Sequence, residues 1–304
     1  LMLLAVIAAA APRTTKPKTR ALPPKWPQSV KDTFFPNANE KLVGPRPNFS
    51  QAPAAVANNL PTATEAAPSA AGEGQWSKLI SSETLEDEVK KLNKQINEAV
   101  TTPVKFKGGG FKTGRALFTE AALLFAIIAE YDADVRWKDK AAGVRYLMGR
   151  AGHNCKVGTD ASFAEAKLRK EDLQLLVQGG SIAVPSATAE PNFAKIADRP
   201  PLMQRIEQAQ QQGIGPSTAN SSEFNKQLST LLQEAELIAA IAATIQKEGY
   251  EYADDDSYRQ FAMQMQNAAS EIAEAVKLKN YDATRAASGN LEKSCSGCHE
   301  GFRS

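Results

Sequence analysis

The feature that most constrains the fold is the spacing of apolar residues from about Ser81 to the end of the chain. Apolar side chains recur there every three to four positions, which places them on one face of an α-helix. The second half of the chain is rich in Ala and Gln, and runs of β-branched or aromatic residues are few, so helix is favoured over sheet. The sequence therefore predicts an all-α fold.

The helical segments form two sets of four. The first set occupies residues 76–180, and the second occupies residues 197–304 after a connection that contains Pro and Ala. The expected helices begin at Ser81 or Ser82 in the first set, and the others cover about 113–131, 138–152, 162–178, 202–212, 222–248, 256–277 and 282–301. The run Lys107–Gly110 is expected to be a flexible connection between helices.

The two sets resemble each other in amino-acid sequence. The segments 117–129 and 231–243 share the pattern Leu-x-x-Glu-Ala-x-Leu at an offset of 114 residues. The offset rises to 117 between Met148 and Met265 and to 118 farther on, as small loop insertions after a tandem duplication would produce. Two helices that are alike only in composition are the alternative. We favour duplication, which predicts tandem antiparallel four-helix bundles.

A proline-rich segment precedes the helices. Residues 12–75 hold 11 of the 17 prolines, a density that interrupts any helical or strand pattern. Such a segment buries too little apolar surface to offset the entropy lost on ordering. We expect a disordered or extended tether, which is either a plain linker or a spacer from a membrane or docking partner.

The chain opens with an apolar stretch at residues 1–11 that ends in four Ala and is followed by basic residues from Arg13. This pattern is typical of the end of a secretory signal peptide with its small-residue cleavage zone. The stretch is shorter than the roughly 20 residues that span a bilayer, but the lack of an initial Met leaves a longer membrane anchor open. We expect an exported protein, periplasmic or otherwise outside the cytoplasm.

The last predicted helix ends in a C-x-x-C-H motif formed by Cys295, Cys298 and His299. This is the pattern of c-type haem attachment. Two thiols must add to the two vinyl groups on one edge of the porphyrin, and the imidazole must reach the iron. Because positions i, i+3 and i+4 share a helical face, all three side chains point the same way. The motif predicts one covalently bound haem c with His299 as an axial ligand.

Two other interpretations of the motif are weaker. A zinc site would need further ligands, and the remaining Cys and His are Cys155 and His153. A redox-active Cys pair would need a βαβ context that the helical pattern does not supply. Cys155 is expected to be a small buried apolar residue or a free thiol, and His153 a surface or capping residue.

The motif at the C-terminus, followed by Phe302 and Arg303, resembles that of the class II c-type cytochromes, of which cytochrome c prime is the best known. The resemblance covers about residues 197–304. It implies an up-down-up-down four-helix bundle with haem held between the helices. In the first set, the counterpart of the motif is the segment 177–181, which has no Cys or His. The first bundle is therefore expected to lack covalent haem and to act as a scaffold, a docking surface or a mate for the second.

The resemblance implies two versions of the opposite side of the iron. Either the distal side is apolar and open to small gases, or a Met from the first helix of the bundle is the sixth ligand. The residues at that place are Leu202 and Met203. Met203 either ligates the iron or fills the core, as many helical methionines do. Arg285 and Arg303 flank the haem segment and either pair with the propionates or are solvated.

These features favour an exported mono-haem c-type cytochrome that transfers electrons to a redox partner protein. The first alternative is a five-coordinate haem module that binds NO or CO, and the second is a structural or docking subunit of a larger redox assembly. A homodimer and a membrane tether through the N-terminus are further expectations. The sequence shows no acid–base pair or activated nucleophile, so we do not expect an enzyme. The net charge of +2 gives no concentrated basic face for nucleic acid.

Overall fold

All regular structure in the described residues is helical. The computed structural model describes residues 75–186 and 192–303, and its helices there confirm the predicted all-α fold. The predicted signal-peptide remnant at 1–11 lies outside the described residues, as does the predicted linker at 12–75 apart from Gln75. None of the described helices is both long and apolar enough to cross a bilayer.

The described residues contain eight helices of ten residues or more, which we number in chain order. Short helical turns connect several of them, and a π-helical turn over Ala209–Ile214 continues the fifth. We call α1–α4 the first half and α5–α8 the second half. The bounds are Ser82–Ala99 (α1), Phe111–Ala129 (α2), Lys138–Asn154 (α3), Asp160–Val177 (α4), Arg199–Gln208 (α5), Leu228–Thr244 (α6), Asp256–Lys277 (α7) and Tyr281–Phe302 (α8).

Polar side chains cap the starts of these helices. The Ser81 hydroxyl accepts a hydrogen bond from the Thr84 backbone N–H at the start of α1, as the sequence predicts. Asn280 caps α8 in the same way. Pro200 and Pro201 occupy the first turn of α5, where a missing N–H matters little.

Two sequence predictions about helix boundaries are wrong. The Gly-rich run does not separate helices as a flexible connection, because Phe106–Gly110 forms a π-helical turn that leads directly into α2. Gly109 takes φ +140°, a value that residues with a Cβ rarely adopt, and so absorbs the kink. The helix expected over 222–248 is divided at Gln227 into a short helix, Ser221–Lys226, and α6. The Phe224 ring of the short helix packs on Tyr281 of α8.

The two halves share one hydrophobic core. Helices α2 and α3 pack against each other in the first half, and α6, α7 and α8 pack in sequence in the second. Between the halves, α2 packs against α5 and α1 against α6. These two pairings are equivalent under the repeat, because α1 corresponds to α5 and α2 to α6. The boundary thus has the self-complementary pattern of a two-fold interface.

The pattern of buried positions repeats along the chain, as the amino-acid sequence does. At an offset of 117 residues in α1 and α3, and of 118 in α4, buried positions of the first half coincide with buried positions of the second. Side chains that pack at equivalent places support the tandem duplication better than composition does. The coinciding pairs include Leu85 with Leu202, Val89 with Ile206, Leu92 with Ala209, Met148 with Met265, and Leu173 with Leu291.

Candidate cofactor site

The attachment motif lies near the end of α8, on a helix that continues three residues beyond it to Phe302. Cys295 and Cys298 are free thiols, partly buried, and packed against the core. His299 is exposed. Because the three positions share one side of α8, the helix presents two thiols toward the core and an imidazole at its margin.

Burial controls the protonation of both thiols. It raises the pKa of Cys295, although a hydrogen bond with Ser294 opposes the shift. It also raises the pKa of Cys298, and the nearby Arg199 guanidinium acts in the opposite direction. Both groups are therefore neutral thiols at neutral pH, and this disfavours thiolate reactions such as disulfide exchange.

Aromatic rings form a wall beside the motif. The Phe302 ring lies 5.3 Å from Tyr252, 5.5 Å from Tyr258 and 6.5 Å from Phe261, measured between centroids. A Cβ at Gly297 would lie 2.7 Å from a ring carbon of Phe261. The Gly between the two cysteines thus allows α7 to approach α8 closely.

Arg199 is a residue of this site that the sequence analysis missed. It begins α5, its guanidinium lies over the rings of Tyr252 and Tyr258, and it pairs with Glu251 at 2.6 Å. It is also close enough to Cys298 to affect that thiol. The antiparallel topology is the signal that would have found it, because the first helix of an up-down-up-down bundle begins beside the end of the last.

Helix α5 runs antiparallel to α8, and two contacts indicate its register. Arg199 lies near Cys298, while Gln210, in the turn that continues α5, donates a hydrogen bond to Glu292 at 2.9 Å. Met203 lies between these two contacts, at the level of the residues between Glu292 and Cys298. It is four residues after Arg199, so the two share a helical face.

Met203 and its neighbour Leu202 occupy different environments. Met203 is partly buried and packs against the core. Leu202 is fully buried, at the position equivalent to Leu85 of the first half. Of the two, Met203 is therefore the side chain that the core does not fully enclose.

The two arginines predicted to flank the haem lie at different distances from the motif. Arg285 is exposed on α8, ten residues before Cys295 and thus about 15 Å away along the helix axis. Arg303 is exposed directly after α8. Of the pair, Arg303 has the shorter reach to a cofactor held by the motif.

The remaining Cys and His do not join the motif. Cys155 is fully buried and free, as predicted, and burial raises its pKa to about 12. Its equivalent in the second half is the buried Ile272. His153 is exposed, with Nδ1 3.2 Å from the Lys156 ammonium. No group of three potential metal ligands of the His, Cys, Asp or Glu type converges within the described ranges, so the zinc interpretation gains no support.

The first half ends differently at the equivalent place. Helix α4 stops at Val177, where α8 continues through its motif. Gly179 follows with φ +89°, in the left-handed region that terminates helices. The first half thus lacks both the ligand residues and the helical frame that would present them.

The residues present fit a covalently attached haem by their chemistry. The two thiols are unpaired, neutral and on one helical side, and the imidazole is accessible. A helical bundle that carries C-x-x-C-H on its last helix defines the class of the haem-binding c-type cytochromes.

The comparison with known families agrees with this class. Residues 195–303 match the model of the family described as Cytochrome C'. The predicted resemblance to class II c-type cytochromes is thereby confirmed for the second half, and the family implies haem as the cofactor. Helices α1–α4 lie outside the match. No curated protein and no solved structure matches the chain.

Proposed function

We propose that the protein is an exported mono-haem c-type cytochrome that transfers electrons. Cys295 and Cys298 would hold the porphyrin through thioether bonds, and the His299 imidazole and the Met203 thioether would ligate its iron. The observation that supports the proposal is the antiparallel register of α5 and α8, in which Met203 lies in sequence between Arg199, near Cys298, and Gln210, which bonds to Glu292. The partner is a redox protein that exchanges single electrons with the haem.

Each residue has a distinct part in this function. The bound haem supplies a one-electron iron couple, and Met ligation raises its reduction potential. Cys295 and Cys298 fix the orientation of the ring on α8. The aromatic wall around Phe302 restricts the access of water to one side of the site. With Met203 bound in both oxidation states, little rearrangement of the protein would accompany transfer.

A second function is supported by the packing of Met203 against the hydrophobic core. A thioether that remains there as filler would leave the iron without a protein ligand on that side, in apolar surroundings. Such a haem binds small gases such as NO or CO when reduced. The two functions differ in a single bond, between the iron and the Met203 sulfur.

Optical spectra of the full-chain holoprotein test the proposal. For the electron carrier we expect sharp low-spin bands that CO leaves unchanged. We expect Met203→Ala to convert them to broad high-spin bands that respond to CO. The control is Met265→Ala, which removes a buried methionine from α7 and lowers stability by about 2–5 kcal/mol with no change of bands. High-spin bands in the unmodified holoprotein would contradict Met203 ligation and favour the gas binder.

A further inference from the structure

Helix α5 is anchored to the first half at its N-terminal end. Asp198, the residue that precedes α5, forms ion pairs with Arg115 of α2 and with Lys156, each at 3.0 Å. These contacts outweigh the opposing effect of burial and lower the pKa of the Asp198 carboxyl.

The two prolines of α5 explain why this carboxylate pairs with residues outside its own helix. An Asp at the N-cap normally accepts a hydrogen bond from the second or third backbone N–H of its helix. In α5 those positions are Pro200 and Pro201, which have no N–H. The carboxylate makes no capping bond and pairs instead with the cations of the first half.

A second anchor holds α5 near its other end. Arg205, buried on α5, pairs with Glu120 of α2 at 2.7 Å and with Glu88 of α1 at 3.6 Å. It also pairs with Glu234 of α6 at 2.6 Å. Lys91 of α1 bridges Glu88 and Glu234 at 2.9 and 3.2 Å. Four helices thus meet at one guanidinium.

The repeat shows how Arg205 differs from its counterpart in the first half. Glu120 and Glu234 are equivalent at an offset of 114, and Glu88 is equivalent to Arg205 at an offset of 117. A symmetric pairing of two first halves would bring four carboxylates together, which is unfavourable when they are buried. Arg205 replaces one of the four and makes the second half complementary to the first. Its planar guanidinium fixes geometry more strictly than a Lys would.

Met203 lies between the two anchors, five residues after Asp198 and two before Arg205. We propose that the haemless first half acts as a built-in positioning element for the distal side of the haem: Asp198 and Arg205, held by α1, α2 and Lys156, fix α5 and thereby the approach of Met203 to the iron. This inference rests on the proposed function. It assigns the first half a role in the chemistry of the haem, through α5.

The test compares three variants of the full-chain holoprotein. Asp198→Asn removes the first anchor, and Glu120→Gln removes the shortest contact of Arg205 with the first half. The matched control is Glu236→Gln. Glu236 is also a buried carboxylate that joins the halves, because it accepts hydrogen bonds from Ser81, which caps α1, and from Thr84 of α1, but it makes no such contact with α5.

The readouts are the spin state of the haem and its response to CO, both measured well below the unfolding temperature of each variant. We expect CO, which leaves the bands of the unmodified protein unchanged, to shift the bands of Asp198→Asn and Glu120→Gln, because a looser α5 weakens ligation by Met203 by about fivefold or more, the lower end of coupling between distinct sites. Glu236→Gln should lower the unfolding temperature and leave both readouts unchanged.

Two results would overturn the inference. One is a spectrum that is unchanged, with and without CO, in both anchor variants. The other is an equal change in Glu236→Gln, because that would show general loosening of the boundary. Failure of the proposed function is recognised separately, since the unmodified protein would then show high-spin bands or contain no haem. Asp198 is partly exposed, so its variant folds even if Glu120→Gln does not.

Discussion

At the residue scale, burial divides the cysteines into two kinds. Cys295 and Cys298 lie partly exposed on one side of α8, whereas Cys155 is fully enclosed and corresponds to Ile272 in the repeat. The same side chain thus serves as a candidate attachment point in one place and as an apolar core residue in the other. The surroundings decide which chemistry the thiol can perform.

Substitution of each cysteine checks this division. Mass spectrometry after acid extraction should show haem bound to the unmodified chain and to Cys155→Ala. The double variant Cys295→Ala/Cys298→Ala should lose all covalent haem. Cys155→Ala should instead lower the free energy of unfolding, on the order of 1 kcal/mol for one buried heavy atom. Haem that is extracted from the unmodified chain would contradict covalent attachment.

At the scale of single elements, small residues set how closely helices approach. A Cβ at Gly152 in α3 would lie 3.0 Å from the Thr119 hydroxyl oxygen and 3.2 Å from the Thr119 backbone nitrogen of α2. At Gly289 in α8, no heavy atom lies within 4 Å of the same added carbon. The first Gly is therefore required by packing, and the second is not.

Alanine at these two positions should have opposite effects. Gly152→Ala should lower the free energy of unfolding by about 1 kcal/mol or more, because overpacking outweighs the better helix propensity of Ala. Gly289→Ala should raise it by about 0.5–1 kcal/mol through propensity alone. Denaturant titrations measure both. A rise in the free energy of unfolding for both variants would show that α2 and α3 separate without penalty.

At the scale of the whole molecule, buried charges join the halves and make stability depend on pH. Burial acts to raise the pKa of Glu234, but Arg205 and Lys91 outweigh it and hold the pKa below the ordinary 4.5. Burial raises the pKa of Glu120, against the attraction of Arg205. A carboxyl with a lowered pKa stabilises the folded protein at pH values above its unfolded pKa, and this stabilisation is lost as the pH falls through the folded pKa.

Glu234→Gln should therefore flatten the acid limb of the stability profile. At neutral pH we expect the variant to be less stable by about 3 kcal/mol, the lower end for removing one partner of a buried pair. As the pH falls below about 4.5, the two proteins should converge, because the unmodified protein loses the contribution of Glu234 there. Unfolding free energies measured across this range check the prediction, and a constant difference would contradict it.

Much of the fold follows from local sequence. The apolar spacing predicts the helices, Ser81 predicts a cap, and the prolines after Asp198 predict a helix start, because each acts within a few residues. The C-x-x-C-H spacing predicts the candidate site for the same reason: one helix turn brings its three side chains together. The repeat predicts two sets of four helices from letters alone.

What only the tertiary structure decides is which distant residues meet. The division of the helix at Gln227, the position of Arg199 beside Cys298 and the pairing of Arg205 with Glu120 depend on how whole helices pack, and no local pattern encodes them. The same holds for the shared core, which forms because α1 and α2 bury their apolar faces against α6 and α5. The sequence by itself determined the helices and the haem-attachment motif, and packing determined what surrounds that motif.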